Sequence, residues 1–280
     1  MTDVVECSEV LVPGPAEALG GLLGVRVPDV AAGLPLLWHW VYLLDRAAQD
    51  TLGPDGHPAT GGIPVPPGPG RRRMFAGGRV RTSGALRCGE LATRRTRVLT
   101  SVQKQGRSGR LSFVTVGHEI GQRGRVVVSE EQDIVYRDAD AGPPKAACAE
   151  DVSPGIAAAG EHPHPSTEWV VEPNPVLLFR FSALTYNAHR IHYDRDYARD
   201  VEGYPGLVVH GPLQAMLMAE AVRRVQPDVE DCAFAYRLLS PLFDKHPFTV
   251  SAARDGDGYA TRVAARAGGQ TASGRLTFPG

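Results

Sequence analysis

The chain has little of what marks a secreted, metal-binding or nucleic-acid-binding protein. Its four cysteines (Cys7, Cys88, Cys148, Cys232) lie far apart with no C-x-x-C spacing, which argues against both a zinc site and a disulfide framework. An excess of charge of one sign is also missing: 30 basic residues face 31 acidic ones, for a formal net charge of −1. That balance gives no case for a nucleic-acid or membrane partner. No apolar run approaches a membrane span, and MTDVVECSEVLVPGP has neither a basic n-region nor an apolar h-region, so the cytoplasm is the expected location. No G-x-G-x-x-G follows a strand-like run, and no Walker sequence, G-x-S-x-G elbow or H-E-x-x-H occurs. No cofactor and no metal are therefore expected.

What is present is enough chain for one large domain or two of about 120–140 residues. Apolar spacing predicts helices over 14–24 and 36–50, the second with Trp38, Tyr42 and Leu43 near one face. The Pro/Gly-dense stretch 53–70 reads as loop. Strand-like runs follow at Met74–Val80, Arg94–Val102, Leu111–Ile120 and Arg125–Tyr136. An Ala/Pro/Gly-rich linker then separates a first domain, 1–140, from a second, 169–280, with 141–168 between them. In the second part we expect a strand at Val176–Arg180, a helix opened by Gly211, and strands near Ala233–Leu239, Phe248–Ala253, Tyr259–Ala265 and Thr271–Phe278. A helix followed by antiparallel strands, occurring twice, is an α+β pattern.

The most informative segment is FSALTYNAHRIHYDRDYARDVEGYPGLVVHGPLQ, from Phe181 to Gln214. It holds three (His189, His192, His210) of the nine histidines, together with Asn187 and the pair His210-Gly211. Gly211-Pro212 opens an apolar run (Leu213, Met216, Leu217, Ala219) that reads as helix, and proline is well placed in a helix's first turn. Imidazole can take a proton from water and return one to carbon, while a helix N-terminus offers free N–H groups to a developing oxyanion. The segment thus carries the parts that acid–base chemistry on a polarised carbonyl needs. The remaining histidines, His57 among them, carry no such context and read as surface or core residues.

These residues resemble the active-site region of the MaoC-like, (R)-specific enoyl-CoA hydratases, whose signature reads D-x-N-P-x-H followed by an H-G helix start. Laid on this chain, the family's aspartate falls on Asn187, its histidine on His192 and its oxyanion glycine on Gly211. The variant NAHRIHYD, with EGYPGLVVHGPLQ after it, is closer to mesaconyl-CoA (also itaconyl-CoA) hydratases and mitochondrial-type 3-hydroxyacyl-thioester dehydratases. LPLLWHWVYLLD, LGPDGHP, RRRMFAGGRV and EEQDIVYRD extend the likeness through the first half. The resemblance implies a double hot-dog fold, each half an antiparallel sheet around a long helix, with one site in the C-terminal half. It implies His192, Asn187 and Gly211 as catalytic residues, and Tyr186, Arg190, Gly206, Val209 and His210 around the substrate. It also implies an acyl-CoA thioester as substrate rather than cofactor, and leaves room for a homodimer.

Asn187 cannot act as a base; its amide carbonyl either orients water or holds a turn. Proton transfer would then rest on His192, alone or with Asp194 or His189. Arg190 could grip the second carboxylate of a dicarboxylic acyl group or pair with Asp194 or Asp196. Arg71–Arg73 could meet CoA phosphates or be a solvated strand start. The expected reaction is hydration of an α,β-unsaturated acyl-CoA, with a branched C5 dicarboxylic acyl group favoured, or dehydration of a 3-hydroxyacyl thioester. A thioesterase is the rival on the same fold, although no acidic residue stands at 210–214. A degenerate binding protein is the third reading.

Overall fold

The computed structural model describes residues 4–61, 63–64, 71–106, 109–138, 166–227, 229–266 and 268–279. The strands are β1 (Val5–Val10), β2 (Arg71–Thr82), β3 (Leu91–Gly106), β4 (Gly109–Gln122), β5 (Arg125–Asp138), β6 (Ser166–Val171), β7 (Cys232–Leu238), β8 (Phe248–Asp255), β9 (Gly258–Ala265) and β10 (Gln270–Thr277). The helices are α1 (Pro13–Leu23), α2 (Pro175–Leu184) and α3 (Gly211–Arg223). One ten-stranded antiparallel sheet runs β1-β3-β4-β5-β2-β7-β10-β9-β8-β6. Read inward from either edge, the order is the same: first, third, fourth, fifth and second strand of each half. The halves meet where β2 pairs with β7.

Alternation makes the strands. In β8, Phe248, Val250 and Ala252 are buried while the residues between them are not. At the seam Gly78 faces Tyr236, and a Cβ there would lie 2.6 Å from both the Glu131 carbonyl and the Tyr236 hydroxyl. Only glycine lets the backbones approach so closely. Helix α3 is the spine of the C-terminal half, buried at every position from Leu213 to Val222 and packed on β8, β9 and β10. Its buried Glu220 is satisfied by Arg223 (2.6 Å) and by the Trp38 indole N–H (2.8 Å). One continuous core joins α1, the Trp38 turn and α3 across the two halves.

Two expectations fail. Residues 36–50 form no long helix, only tight turns at Trp38–Val41 and Gln49–Thr51. Leu37 and Leu43 take left-handed φ values of 68° and 52°, and the side chains between them are drawn into separate buried partnerships. Trp38 goes to Glu220, while His39 and Trp40 go to Glu130. Val176–Arg180 is not a strand but part of α2. Pro175 occupies its first turn and the Asn174 side chain accepts the Leu177 N–H at 2.9 Å, a helix start that outweighs the β-favouring composition. The edge strands β1 and β6 add to the expected set, and β6 begins inside the stretch read as linker; residues 139–165 lie outside the described ones. No helix among the described residues is long and apolar enough to cross a membrane.

Candidate active site

Beyond α2 the chain turns sharply. The Asn187 N–H donates to the Ser182 carbonyl (2.8 Å), and the Asn187 side-chain oxygen accepts the His189 N–H (3.0 Å). A short turn, Arg190–His192, then carries His192 inward. There its Nδ1 lies 2.7 Å from the Val208 carbonyl oxygen. A carbonyl can only accept, so Nδ1 holds the proton and Nε2 keeps its lone pair. Burial pushes the His192 pKa down to about 4, against the opposing effect of the Val208 carbonyl. The ring is a neutral base at ordinary pH.

His210 stacks beneath it, with centroids 3.6 Å apart, and its Nε2 meets the Ser182 hydroxyl at 2.9 Å. His189 stands edge-on to His192 at 5.3 Å. Burial holds both His189 and His210 well below the usual histidine range. Gly211 follows at the start of α3, whose first N–H groups have no partner within the helix. A Cβ on Gly211 would run into the end of the Leu238 side chain and lie 3.3 Å from Phe75, so the wall of the cleft would have to shift to admit one.

The cleft holds about 1970 Å3 and is lined by both halves. The C-terminal half contributes Asn187, His189, His192 and Gly211; the first half contributes Asp55, His57, Arg73 and Phe75. Tyr186 and Val209 also line it. Three expected neighbours do not line it. Arg190 is bound to Asp194 (2.8 Å) and the Pro54 carbonyl (3.0 Å) and lies over the Tyr197 ring, so the ion-pair alternative is the one found. That pairing also occupies Asp194. His210 supports His192 from behind, and Gly206 packs against Asp244, which accepts the neighbouring Leu207 N–H. Arg72 is tied to Glu202 at 3.0 Å. Arg73 has no ion pair among the described residues, and its charge lies close enough to Tyr136 to oppose the effect of burial on that phenol.

The first half supplies groups that sequence reading missed. Asp55 Oδ2 lies 3.1 Å from His57 Nδ1, and the His57 ring is 4.1 Å from that of His189. Asp55, His57 and His189 have donor atoms within 4.8 Å of one another, a grouping that could also hold a metal ion. The only signal was the D-x-H spacing inside LGPDGHP. Deeper in the cleft, His39 Nε2 meets Glu130 at 2.8 Å and the Trp40 indole N–H donates to the same carboxylate at 2.9 Å. Burial opposes ionisation of Glu130, yet the bond and charge of His39, with His118 and Gln132 nearby, hold its pKa down at about 2. Trp40 and Phe75 line the cleft, but Trp38 is sealed in the core.

The fold is that of a double hot-dog protein, with a cleft lined by both halves. HtdX of Mycobacterium tuberculosis superposes with a TM-score of 0.69 over 100% of both chains at 14% identity. Another M. tuberculosis protein, described as a double hotdog fold, gives 0.56 over 99% of this chain and 96% of its own, at 15% identity. The model of the hydroxyacyl-thioester dehydratase type 2 family matches residues 37–244, and the chain belongs to that family. It is also 49% identical over 232 residues to a mesaconyl-C(4)-CoA hydratase of Chloroflexus aurantiacus, covering 82% of this chain and 78% of the relative.

Proposed function

We propose that the protein hydrates an α,β-unsaturated acyl-CoA thioester carrying a second carboxylate, a branched C5 group such as mesaconyl-CoA. One observation carries this reading: a buried imidazole with its Nε2 lone pair free lines the same cleft as a glycine-opened helix N-terminus. The thioester carbonyl accepts from the Gly211 N–H, which makes the β-carbon electrophilic. His192 Nε2 takes a proton from water as its oxygen bonds to that carbon, and the α-carbon then receives a proton. Because Nδ1–H stays on the Val208 carbonyl, the ring orientation is fixed throughout. Arg73 is a cationic fork in the cleft with no carboxylate partner among the described residues, which supports the dicarboxylic substrate. The likeness to the Chloroflexus hydratase supports the same choice.

The test is incubation with mesaconyl-CoA and with crotonyl-CoA, following enone absorbance and free thiol separately. Loss of the enone without thiol is expected, with mesaconyl-CoA preferred. Thiol release would make the protein a thioesterase, and preference for crotonyl-CoA would remove the dicarboxylic assignment. His192→Ala should lower turnover by about two to four orders of magnitude, the range for losing an acid–base group.

A further inference from the structure

Asn187 stands where the resembling hydratases carry an aspartate, and its side-chain oxygen is already bound to the His189 N–H. The neighbouring acids of the same segment are taken as well: Asp194 by Arg190, and Asp196 and Asp200 by Arg199. A carboxylate reaches the site from the other half of the molecule. The turn Gly53–Pro58 is closed by the Gly53 N–H on the His57 carbonyl (2.7 Å), and the Asp55 carbonyl accepts the Arg190 N–H (2.9 Å). Gly56, at φ 89°, lies so close to Ala188 that a Cβ would collide with its carbonyl. The turn is therefore seated directly on the backbone that leads to His192.

Within it, Asp55 accepts twice from His57, from its N–H at 3.0 Å and from Nδ1 at 3.1 Å. A carboxylate on Nδ1 leaves Nε2 as the reactive nitrogen and raises its proton affinity, whereas His192 has only a neutral carbonyl behind it. Burial and the Arg73 charge on β2 lower the His57 pKa while Asp55 opposes them, and His189, itself buried, lies against the His57 ring. We propose that His57, positioned by Asp55, is the second proton-transfer group of this site and replaces the aspartate absent at 187. This rests on the hydratase reading. The water proton taken by His192 passes to His57, through water in the cleft or the intervening His189. From Nε2 it goes to the α-carbon of the thioester enolate, while the water oxygen stays on the β-carbon. One water is consumed, one C–O and one C–H bond form, and both imidazoles return to neutral.

His57→Gln, Asp55→Asn and Asp55→Glu are compared with wild type by kcat, KM and the pH profile of kcat, with far-UV circular dichroism checking the fold. His57→Gln should lose about 10²–10³-fold in kcat with KM changed less than about threefold. Asp55→Asn should lose less and move the acid limb of the profile to lower pH, because a neutral neighbour no longer supports the imidazolium; Asp55→Glu should restore part of both. Should His57→Gln fail to fold, the Asp55→Asn limb decides. Full activity in His57→Gln, or an unmoved limb in Asp55→Asn, overturns the proposal. So does loss of wild-type activity to EDTA with recovery on adding zinc, which would make Asp55, His57 and His189 metal ligands. The ratio of variant to wild type reads the dyad; the hydratase reading stands or falls separately, on enone loss by the wild-type protein.

Discussion

Acid should unfold this protein earlier than its exposed charges would, and His192 supplies a number for it. Its pKa is held at about 4 in the fold, against an ordinary value of 6.5. A histidine whose folded pKa is lowered stabilises the fold above about pH 6.5, where both states are neutral, and loses that contribution as pH falls toward the folded value. Between about pH 7.5 and about pH 5, the unfolded chain gains most of a proton at this position and the folded chain almost none, which costs about 2 kcal/mol. His189 and His210 shift in the same direction and add to the loss. The control is His192→Asn, whose amide N–H can replace Nδ1–H on the Val208 carbonyl without titrating. Urea unfolding at both pH values should show the wild type losing about 2 kcal/mol more than the variant. Equal losses would show that His192 titrates alike in folded and unfolded chains, and the buried neutral imidazole would be wrong.

Three further outcomes follow from the geometry. Gly211→Ala forces the Leu238 side chain aside; stability should fall by about 1–3 kcal/mol in urea, and displacement of the helix N–H groups should lower turnover by about 10²-fold. In Asn187→Asp the carboxylate still accepts the His189 N–H, so its melting temperature should stay near wild type, whereas Asn187→Ala should lose about 1 kcal/mol by calorimetry. Glu130→Ala leaves buried His39 and the Trp40 indole N–H without their carboxylate and should cost about 3–5 kcal/mol in urea unfolding; a cost below about 1 kcal/mol would mean that water from the cleft satisfies them.

How much of this was legible in the chain varies with the range of the interactions. The start of α3 was readable because Gly211-Pro212 and the apolar run beyond it are local signals, and so were the eight strands with alternating runs. The 36–50 stretch misled because its apolar spacing serves tertiary partners, Glu130 and Glu220, which lie far along the chain. At α2, the Asn174-Pro175 start was a visible cap signal that the run of β-favouring residues obscured. The His192 and Gly211 segment stood out because its chemistry is concentrated in a few turns. Asp55 and His57 did not, because only the seating of their turn on Ala188 brings them to His189. Arg190 offered two partners in sequence, and Asp194, one helical turn on, was the nearer.

The repeated strand order has a consequence for how such a site can change. Two identical hot-dog subunits joined by the same seam would carry every site residue twice, and any substitution would alter both sites at once. Joining the halves in one chain removes that constraint. One copy can keep a histidine beside a helix start while the other turns the matching region into a buried Glu130–His39–Trp40 brace and a loop that reaches across. The fused chain can therefore recognise a substrate whose two ends differ, since each wall of the cleft is encoded separately.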